Sequence, residues 1–155
     1  MTAIRVSFVD VYVLRGADAT LEVLALRRAQ GRQRPGSWET VHGHIDDGEK
    51  PQDAALRELK EETGFEPRSF YSLSRVDAMY LHRRDELAMI PVFVAFVDPQ
   101  ASIQLSEEHD ASEWLPARQA AARFAWPREA RALEDAVRLL GSGDAGPVED
   151  VLRIC

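Results

Sequence analysis

The chain has 155 residues and a formal net charge of −7, with 45% hydrophobic and 29% charged residues. This length suits one domain with a substantial core. The acidic balance excludes a protein that holds nucleic acid with basic residues alone, and the absence of any run of about 18 apolar residues argues against a membrane span, so we expect no nucleic-acid or membrane partner.

The first residues and the single cysteine bear on location. Residues 1–16 have no basic segment followed by a long apolar block, so they predict a strand rather than a signal peptide. Cys155 is the only cysteine, which rules out an internal disulfide and a cysteine-based metal site within one chain. We expect a cytoplasmic protein and leave open whether it is a monomer or a homodimer.

Apolar and β-branched residues separated by turn signals predict six strands. In chain order these strands cover residues 4–14, 21–26, 39–42, 70–81, 87–97 and 113–115. The basic segment 27–37 contains Gly and Pro breaks and predicts a loop.

Three helices are predicted, at residues 51–63, 116–124 and 127–140. Pro51 and Pro127 suit a first turn, and Gly64 stands where a left-handed C-cap is wanted. Strands on both sides of an internal helix, followed by helices, predict an α/β fold with helices on both faces of a mixed sheet.

The helix predicted at residues 51–63 carries three glutamates, Glu58, Glu61 and Glu62, at i+3 and i+4 spacing on one face. Like charges at this spacing cost about 0.2–0.5 kcal/mol per pair in an isolated helix. The residues alone allow two interpretations. The helix is either a solvated helix of mixed charge or a site for a hard divalent cation, which prefers carboxylate oxygens.

Arg57 has two candidate partners, Glu61 at i+4 and Glu49 in the preceding loop. A bidentate pair with Glu49 would pin that loop onto the helix. Glycines at 43 and 48 allow sharp turns and a close approach of the backbone to a ligand.

The spacing of this segment is more specific than its charge. Gly43 is followed after five residues by Glu49, and after seven more by Arg57. The other positions of the pattern are Glu58, Leu59, Glu61, Glu62, Gly64 and Phe65. The segment resembles the Nudix box of the MutT-like Nudix hydrolases at every defining position, and a chance match has a probability on the order of 10⁻⁷.

The resemblance implies a fold, a reaction and a cofactor. Nudix hydrolases have an α/β/α sandwich with a mixed β-sheet, in which the box forms a catalytic loop–helix–loop. They cleave a nucleoside diphosphate linked to another group, with Mg²⁺ or Mn²⁺. We therefore expect a single Nudix domain at residues 1–140 and a C-terminal tail at residues 141–155.

The resemblance also implies roles for residues of the box. Glu58, Glu61 and Glu62 would bind the metal, with the Gly43 carbonyl as a further ligand. The implied structural residues are Glu49, Arg57 and Gly64. Water would attack phosphorus while a carboxylate takes its proton, and the cation would neutralise the phosphates. In the family this base is sometimes a box glutamate and sometimes an acid on a distant loop.

A candidate for a distant acid follows residue 105. Glu107 and Glu108 precede Trp114, an arrangement similar to a loop that supplies an additional acidic ligand in the dihydroneopterin triphosphate and nucleoside triphosphate branch. The match favours Glu108, which His109 follows, over Glu107. A solvated acidic turn is the alternative.

Candidates for substrate binding are Arg27, Arg28, Trp38 and His44. The two arginines would steer a phosphate or only keep the surface soluble. Trp38 would pack under the box loop or stack on a base, and His44 would donate to phosphates or only cap the loop. We expect residues 82–84 to form a solvated hairpin tip and Trp126 to be a hydrophobic anchor.

The box indicates the reaction without the substrate. Signatures that accompany coenzyme A and NADH substrates are absent, and the match around Glu108 favours a nucleoside triphosphate or dihydroneopterin triphosphate. A dinucleoside polyphosphate or nucleotide sugar is the alternative substrate, and a non-catalytic nucleotide-sensing module is the alternative class.

Overall fold

Eight strands and four α-helices make up the structure, a computed structural model that describes residues 1–155. The strands are β1 Ala3–Val6, β2 Phe8–Arg15, β3 Glu22–Arg28, β4 Trp38–Glu39, β5 Val41–His44, β6 Ser69–Leu81, β7 Glu86–Phe96 and β8 His109–Pro116. The helices are α1 Pro51–Thr63, α2 Ala117–Arg123, α3 Pro127–Leu140 and α4 Glu149–Leu152. None of them is both long and apolar enough to cross a membrane.

One mixed sheet contains all eight strands. Strand β7 lies at its centre, parallel to β1 and β2 on one side and antiparallel to β6 on the other. Strand β2 continues the sheet by pairing antiparallel with β3 and β5, and β3 pairs antiparallel with β4 and β8. The predicted mixed sheet is confirmed.

The predicted helices and strands are present, with three differences in the strands. The strand predicted at residues 39–42 is divided at Thr40 into β4, which pairs with β3, and β5, which pairs with β2. The strand predicted at residues 4–14 is two strands that break at Ser7, both aligned along β7. The strand predicted at residues 113–115 extends over 109–116 because it pairs with nearly the whole of β3. Its first half is polar, so hydrophobic alternation gave no sign of it.

Helices cover both faces of the sheet, and the side chains of β2 alternate between the two layers. Val9 and Val11 pack in the cluster under α1, together with the buried Leu59. Tyr12 and Leu14 pack in the opposite cluster, under α2 and α3. This confirms the α/β/α arrangement.

The chain after α3 packs against the same core. Leu152 of α4 is buried in the cluster under α2 and α3. The N–H of Ile154 donates to the carbonyl of Phe70, and the N–H of Phe70 donates to the carbonyl of Cys155, both at 2.8 Å. Residues 149–155 therefore dock on β6.

Candidate active site

The segment from Gly43 to Gly64 forms a loop, a helix and a second loop. Pro51 begins α1, and Gly64 ends it with a left-handed φ of 74°. Gly43 is needed for a different reason, because a Cβ there would collide with the carboxylate of Glu58. The close packing of β5 on α1 thus depends on the missing side chain at Gly43.

Arg57 holds the box loop against α1. Its Nε and Nη2 donate to the two carboxylate oxygens of Glu49, each at 2.9 Å, and Nη2 also donates to the carbonyl of His44 at 2.9 Å. Nη1 donates to Glu58 at 3.0 Å and to Glu61 at 3.3 Å. These bonds to Arg57 lower the pKa of Glu49 to about 2. Arg57 therefore pairs with both of the partners considered for it.

The three box glutamates lie at different depths, which corrects the expectation of one acidic face apart from the apolar one. The Glu61 side chain is 57% exposed and that of Glu58 is 12% exposed. Glu62 is only 2% exposed and lies on the buried face of α1 with Leu59. A helical wheel assigns faces by angle alone and does not show how far the surrounding chain extends over a helix, so it did not predict the burial of Glu62.

Glu62 is the most unusual carboxylate of the site. Neither of its oxygens makes a close hydrogen bond. Burial, followed by the charges of Glu58 and Glu39, raises its pKa well above the ordinary value for a glutamate, although the backbone N–H of His42 opposes the shift. An uncompensated buried carboxylate is costly, so such a group is usually paired or bound to a metal.

The donor chemistry fits a hard divalent cation, since carboxylate and carbonyl oxygens are its preferred ligands. The unpartnered oxygens of Glu62 and the packing of Glu58 on Gly43 concentrate such donors at one end of α1. As the side chains stand, no three His, Cys, Asp or Glu residues are gathered closely enough to hold an ion, and Arg57 engages Glu58 and Glu61.

A cleft of about 600 Å³ opens beside Gly43 and Glu58. Glu108 lines it, with its carboxylate 3.9 Å from the guanidinium of Arg28. Glu107 does not line it and is 94% exposed beside Arg32. The structure thus brings Glu108, and not Glu107, to the box helix.

His109 does not reach the cleft. Its ring is buried, and Nε2 lies 2.8 Å from the carboxylate of Glu39. Burial alone would raise the pKa of Glu39, but His109, Arg28 and Arg34 outweigh it and lower the pKa of this carboxyl.

Of the four predicted substrate-binding residues, Arg28 and His44 line the cleft. Burial lowers the pKa of His44, assisted by the charges of His42 and Arg84. Arg27 does not line the cleft and instead pairs with Asp110 at 2.7 Å.

The structure places Trp38 away from the positions expected for it. It lies outside the cleft and packs against the cluster under α2 and α3, with Arg123 4.8 Å from its ring centroid. Strand β4 pairs with β3, and Trp38 bridges to Phe124 beside α2, so its side chain packs in the layer formed by α2 and α3.

The sequence missed two parts of the cleft wall. The tip of the β6–β7 hairpin is exposed, as expected, but His82, Arg83 and Arg84 also line the cleft. Trp126, expected to be a hydrophobic anchor, also lines it and has Arg34 and Arg128 at 5.6 and 5.7 Å from its ring. A Trp directly before the Pro that starts a helix was the available signal for Trp126, whereas local sequence says nothing about where a hairpin tip points.

A buried polar network ties the start of α3 to the strands behind the cleft. Asp10 lies 2.6 Å from Nδ1 of His42 and accepts from Nε of Arg128 at 3.2 Å. Glu129 accepts from the N–H of Thr40 at 2.7 Å, and burial raises its pKa to about 8. His42 and Thr40 flank the segment that leads to Gly43, so α3 helps to fix the position of the box.

Known proteins share both this sequence pattern and this fold. Residues 5–136 match the family model described as NUDIX domain. The bis(5'-nucleosyl)-tetraphosphatase [asymmetrical] of Rattus norvegicus is 34% identical over 100 residues, which cover 63% of this chain and 66% of the rat protein. An octanoyltransferase of Myxococcus xanthus is 34% identical over 114 residues, but the chain spans only 30% of that protein. The structure of the E. coli dihydroneopterin triphosphate pyrophosphohydrolase superposes with a TM-score of 0.68 at 25% identity and covers 89% of this chain and 99% of its own.

Proposed function

The chain belongs to the Nudix hydrolase family, and from this premise we propose that it hydrolyses a phosphoanhydride bond of a nucleotide with Mg²⁺ or Mn²⁺. The observation that carries the proposal is Glu62, a buried carboxylate with two unpartnered oxygens, on the helix whose Glu58 lines the cleft. A solvated helix of mixed charge offers no reason to bury Glu62 without a partner.

The residues that would hold the cation are Gly43, through its carbonyl, and Glu58, Glu61, Glu62 and Glu108. When bound, the cation neutralises phosphate charge and lowers the pKa of a water molecule. The exposed carboxylate of Glu108 takes the proton as water attacks phosphorus, and the bond from phosphorus to the bridging oxygen breaks. Arg57 and Glu49 keep α1 and the box loop in register for this step.

The substrate we propose is a nucleoside triphosphate or a close analogue such as dihydroneopterin triphosphate. Arg28 on one wall supports binding of the phosphates, and Trp126 offers an aromatic surface to the base or pterin. The similarity to the rat tetraphosphatase favours a dinucleoside polyphosphate as the second candidate.

The test uses Glu62→Gln and a matched control, Glu66→Gln, which alters an exposed glutamate paired with Lys60. We expect Glu62→Gln to lower the metal-dependent release of phosphate or pyrophosphate by about 100-fold or more, and Glu66→Gln to leave it unchanged. The panel comprises nucleoside triphosphates, dihydroneopterin triphosphate, dinucleoside polyphosphates and nucleotide sugars. If the wild type cleaves none of them with either cation, the hydrolase proposal fails. Stabilisation by a nucleotide without turnover would then identify a sensing module.

A further inference from the structure

Two adjacent arginines at the tip of the β6–β7 hairpin have no acidic partner. No carboxylate oxygen lies within 4.0 Å of the guanidinium of Arg83 or Arg84, although such pairs are formed by Arg28, Arg57 and Arg128. The neighbouring Asp85 is engaged elsewhere, since it accepts from the hydroxyls of Thr2 at 2.9 Å and Tyr80 at 2.8 Å. Two uncompensated positive charges therefore stand together in a chain whose net charge is −7.

These arginines line the same cleft as Glu58. The other guanidinium groups on its wall belong to Arg28 and Arg34, and both lie 3.4 Å from the buried carboxylate of Glu39. Arg83 and Arg84 are thus the only guanidinium groups lining the cleft that no carboxylate neutralises. An anion that enters the cleft meets acidic side chains at the box end and free cationic side chains at the hairpin.

We propose that Arg83 and Arg84 form a distal anion subsite, which binds phosphates of the substrate beyond the diphosphate held at the box. The inference rests on the proposed function for the direction in which the phosphate chain lies. Guanidinium groups suit this task because their planar donor sets match phosphate oxygens and remain charged at every physiological pH. The subsite selects substrates with three or more linked phosphates over nucleotides with only two, such as nucleotide sugars.

The hairpin position also limits the size of the effect. Arg83 and Arg84 are exposed at the rim, so ordering their side chains offsets part of the gain. Two charge-assisted contacts under these conditions should change affinity by about tenfold, and the effect should decline as salt concentration rises.

The experiment compares Arg83→Gln/Arg84→Gln with Arg118→Gln/Arg131→Gln. The control pair removes the same charge from arginines that line a separate apolar cavity between α2 and α3. Binding of inorganic tripolyphosphate and pyrophosphate is measured by titration calorimetry with Mg²⁺. The hairpin variant should bind tripolyphosphate about tenfold more weakly and pyrophosphate less than about twofold more weakly, with no change in the control. Equal losses for both ligands, or no loss for either, would overturn the subsite.

Steady-state kinetics show which class of substrate supplies the phosphates that bind at this subsite. The hairpin variant should raise KM for a nucleoside triphosphate or a dinucleoside polyphosphate, whichever the wild type cleaves, and leave KM for a nucleotide sugar unchanged. The two proposals fail separately. Tripolyphosphate binding that depends on the arginines, without turnover of any nucleotide, retains the subsite and removes the hydrolase. Turnover whose KM is the same in the hairpin variant and wild type retains the hydrolase and removes the subsite.

Discussion

Glu129 is a buried acid whose protonation links the stability of the protein to pH. Burial raises its pKa from 4.5 to about 8, in spite of the hydrogen bond from the N–H of Thr40. The protonated form is favoured in the folded state, so the contribution of Glu129 to stability is fully present below pH 4.5 and is lost as pH rises through about 8.

We predict that Glu129→Gln flattens this part of the pH profile, because glutamine keeps an acceptor for Thr40 but does not titrate. The pH profile is measured by denaturant unfolding of the metal-free protein between pH 4.5 and 8. Over this interval the unfolding free energy of wild type should fall more than that of the variant. Glu134→Gln, on the exposed side of the same helix, should behave as wild type. Parallel profiles for wild type and Glu129→Gln would contradict the prediction.

Individual residues also show what a sequence can and cannot predict about a site. The spacing from Gly43 to Glu62 identified the residues of the box because they lie on one loop and one helix, where local geometry fixes their neighbours. Trp38 lies outside the cleft because β4 pairs with β3, whereas the start of α3 brings Trp126 to the cleft wall. Such placements depend on contacts between residues distant in sequence, which spacing does not encode.

Helix α1 depends on one guanidinium for its attachment to the box loop. We predict that Arg57→Lys raises the metal concentration for half-maximal activity by about tenfold, because an ammonium group cannot keep the bidentate pair with Glu49 while also reaching Glu58. Initial rates across a series of Mg²⁺ concentrations measure the shift. Arg68→Lys, at an exposed pair with Asp98, is the control and should leave the curve in place. If the curve for Arg57→Lys coincides with that of wild type, the bidentate pair with Glu49 is not required for metal-dependent activity.

The C-terminal segment stabilises the sheet without contributing to the cleft. Leu152 is 5% exposed and Val151 is 74% exposed. Truncating each side chain to Ala therefore compares the loss of a buried contact with the same change at an exposed neighbour. We predict that Leu152→Ala lowers the unfolding free energy by about 2–4 kcal/mol, and that Val151→Ala changes it by less than about 0.5 kcal/mol. Denaturant titrations give both values, and KM should be unchanged in each variant. A loss as large at Val151 as at Leu152 would mean that the segment is not docked as described.

At the scale of elements, the sequence predicted the kind and order of strands and helices better than their ends. The break at Ser7 is invisible to hydrophobic alternation because β1 and β2 follow the same neighbour, β7. Strand β8 extends into polar residues because β3 supplies backbone partners. In both cases the partner strand, rather than the segment's own composition, decides where a strand ends.

For the whole molecule, the buried carboxylate of Glu62 and the net charge of −7 both favour binding of a cation. We predict that Mg²⁺ or Mn²⁺ stabilises the wild-type protein by about 2.7 kcal/mol at 100 times its Kd, since it supplies the partner that Glu62 lacks. Thermal unfolding with EDTA and with added cation measures the gain, and EDTA should also abolish turnover. Glu62→Gln should lose most of this stabilisation. An equal gain in wild type and Glu62→Gln would place the ion elsewhere.

The walls of the cleft come from separate stretches of chain, and these stretches differ in how much the packing of the core constrains them. Gly43 and Glu58 sit where the sheet packs on α1, so their surroundings tolerate little change. Arg83 and Arg84 sit on an exposed hairpin tip, outside both hydrophobic clusters. We expect substitutions at the hairpin tip to change substrate preference more than stability. A mutational library confined to residues 82–84 should therefore sample changes in substrate preference with little loss of stability.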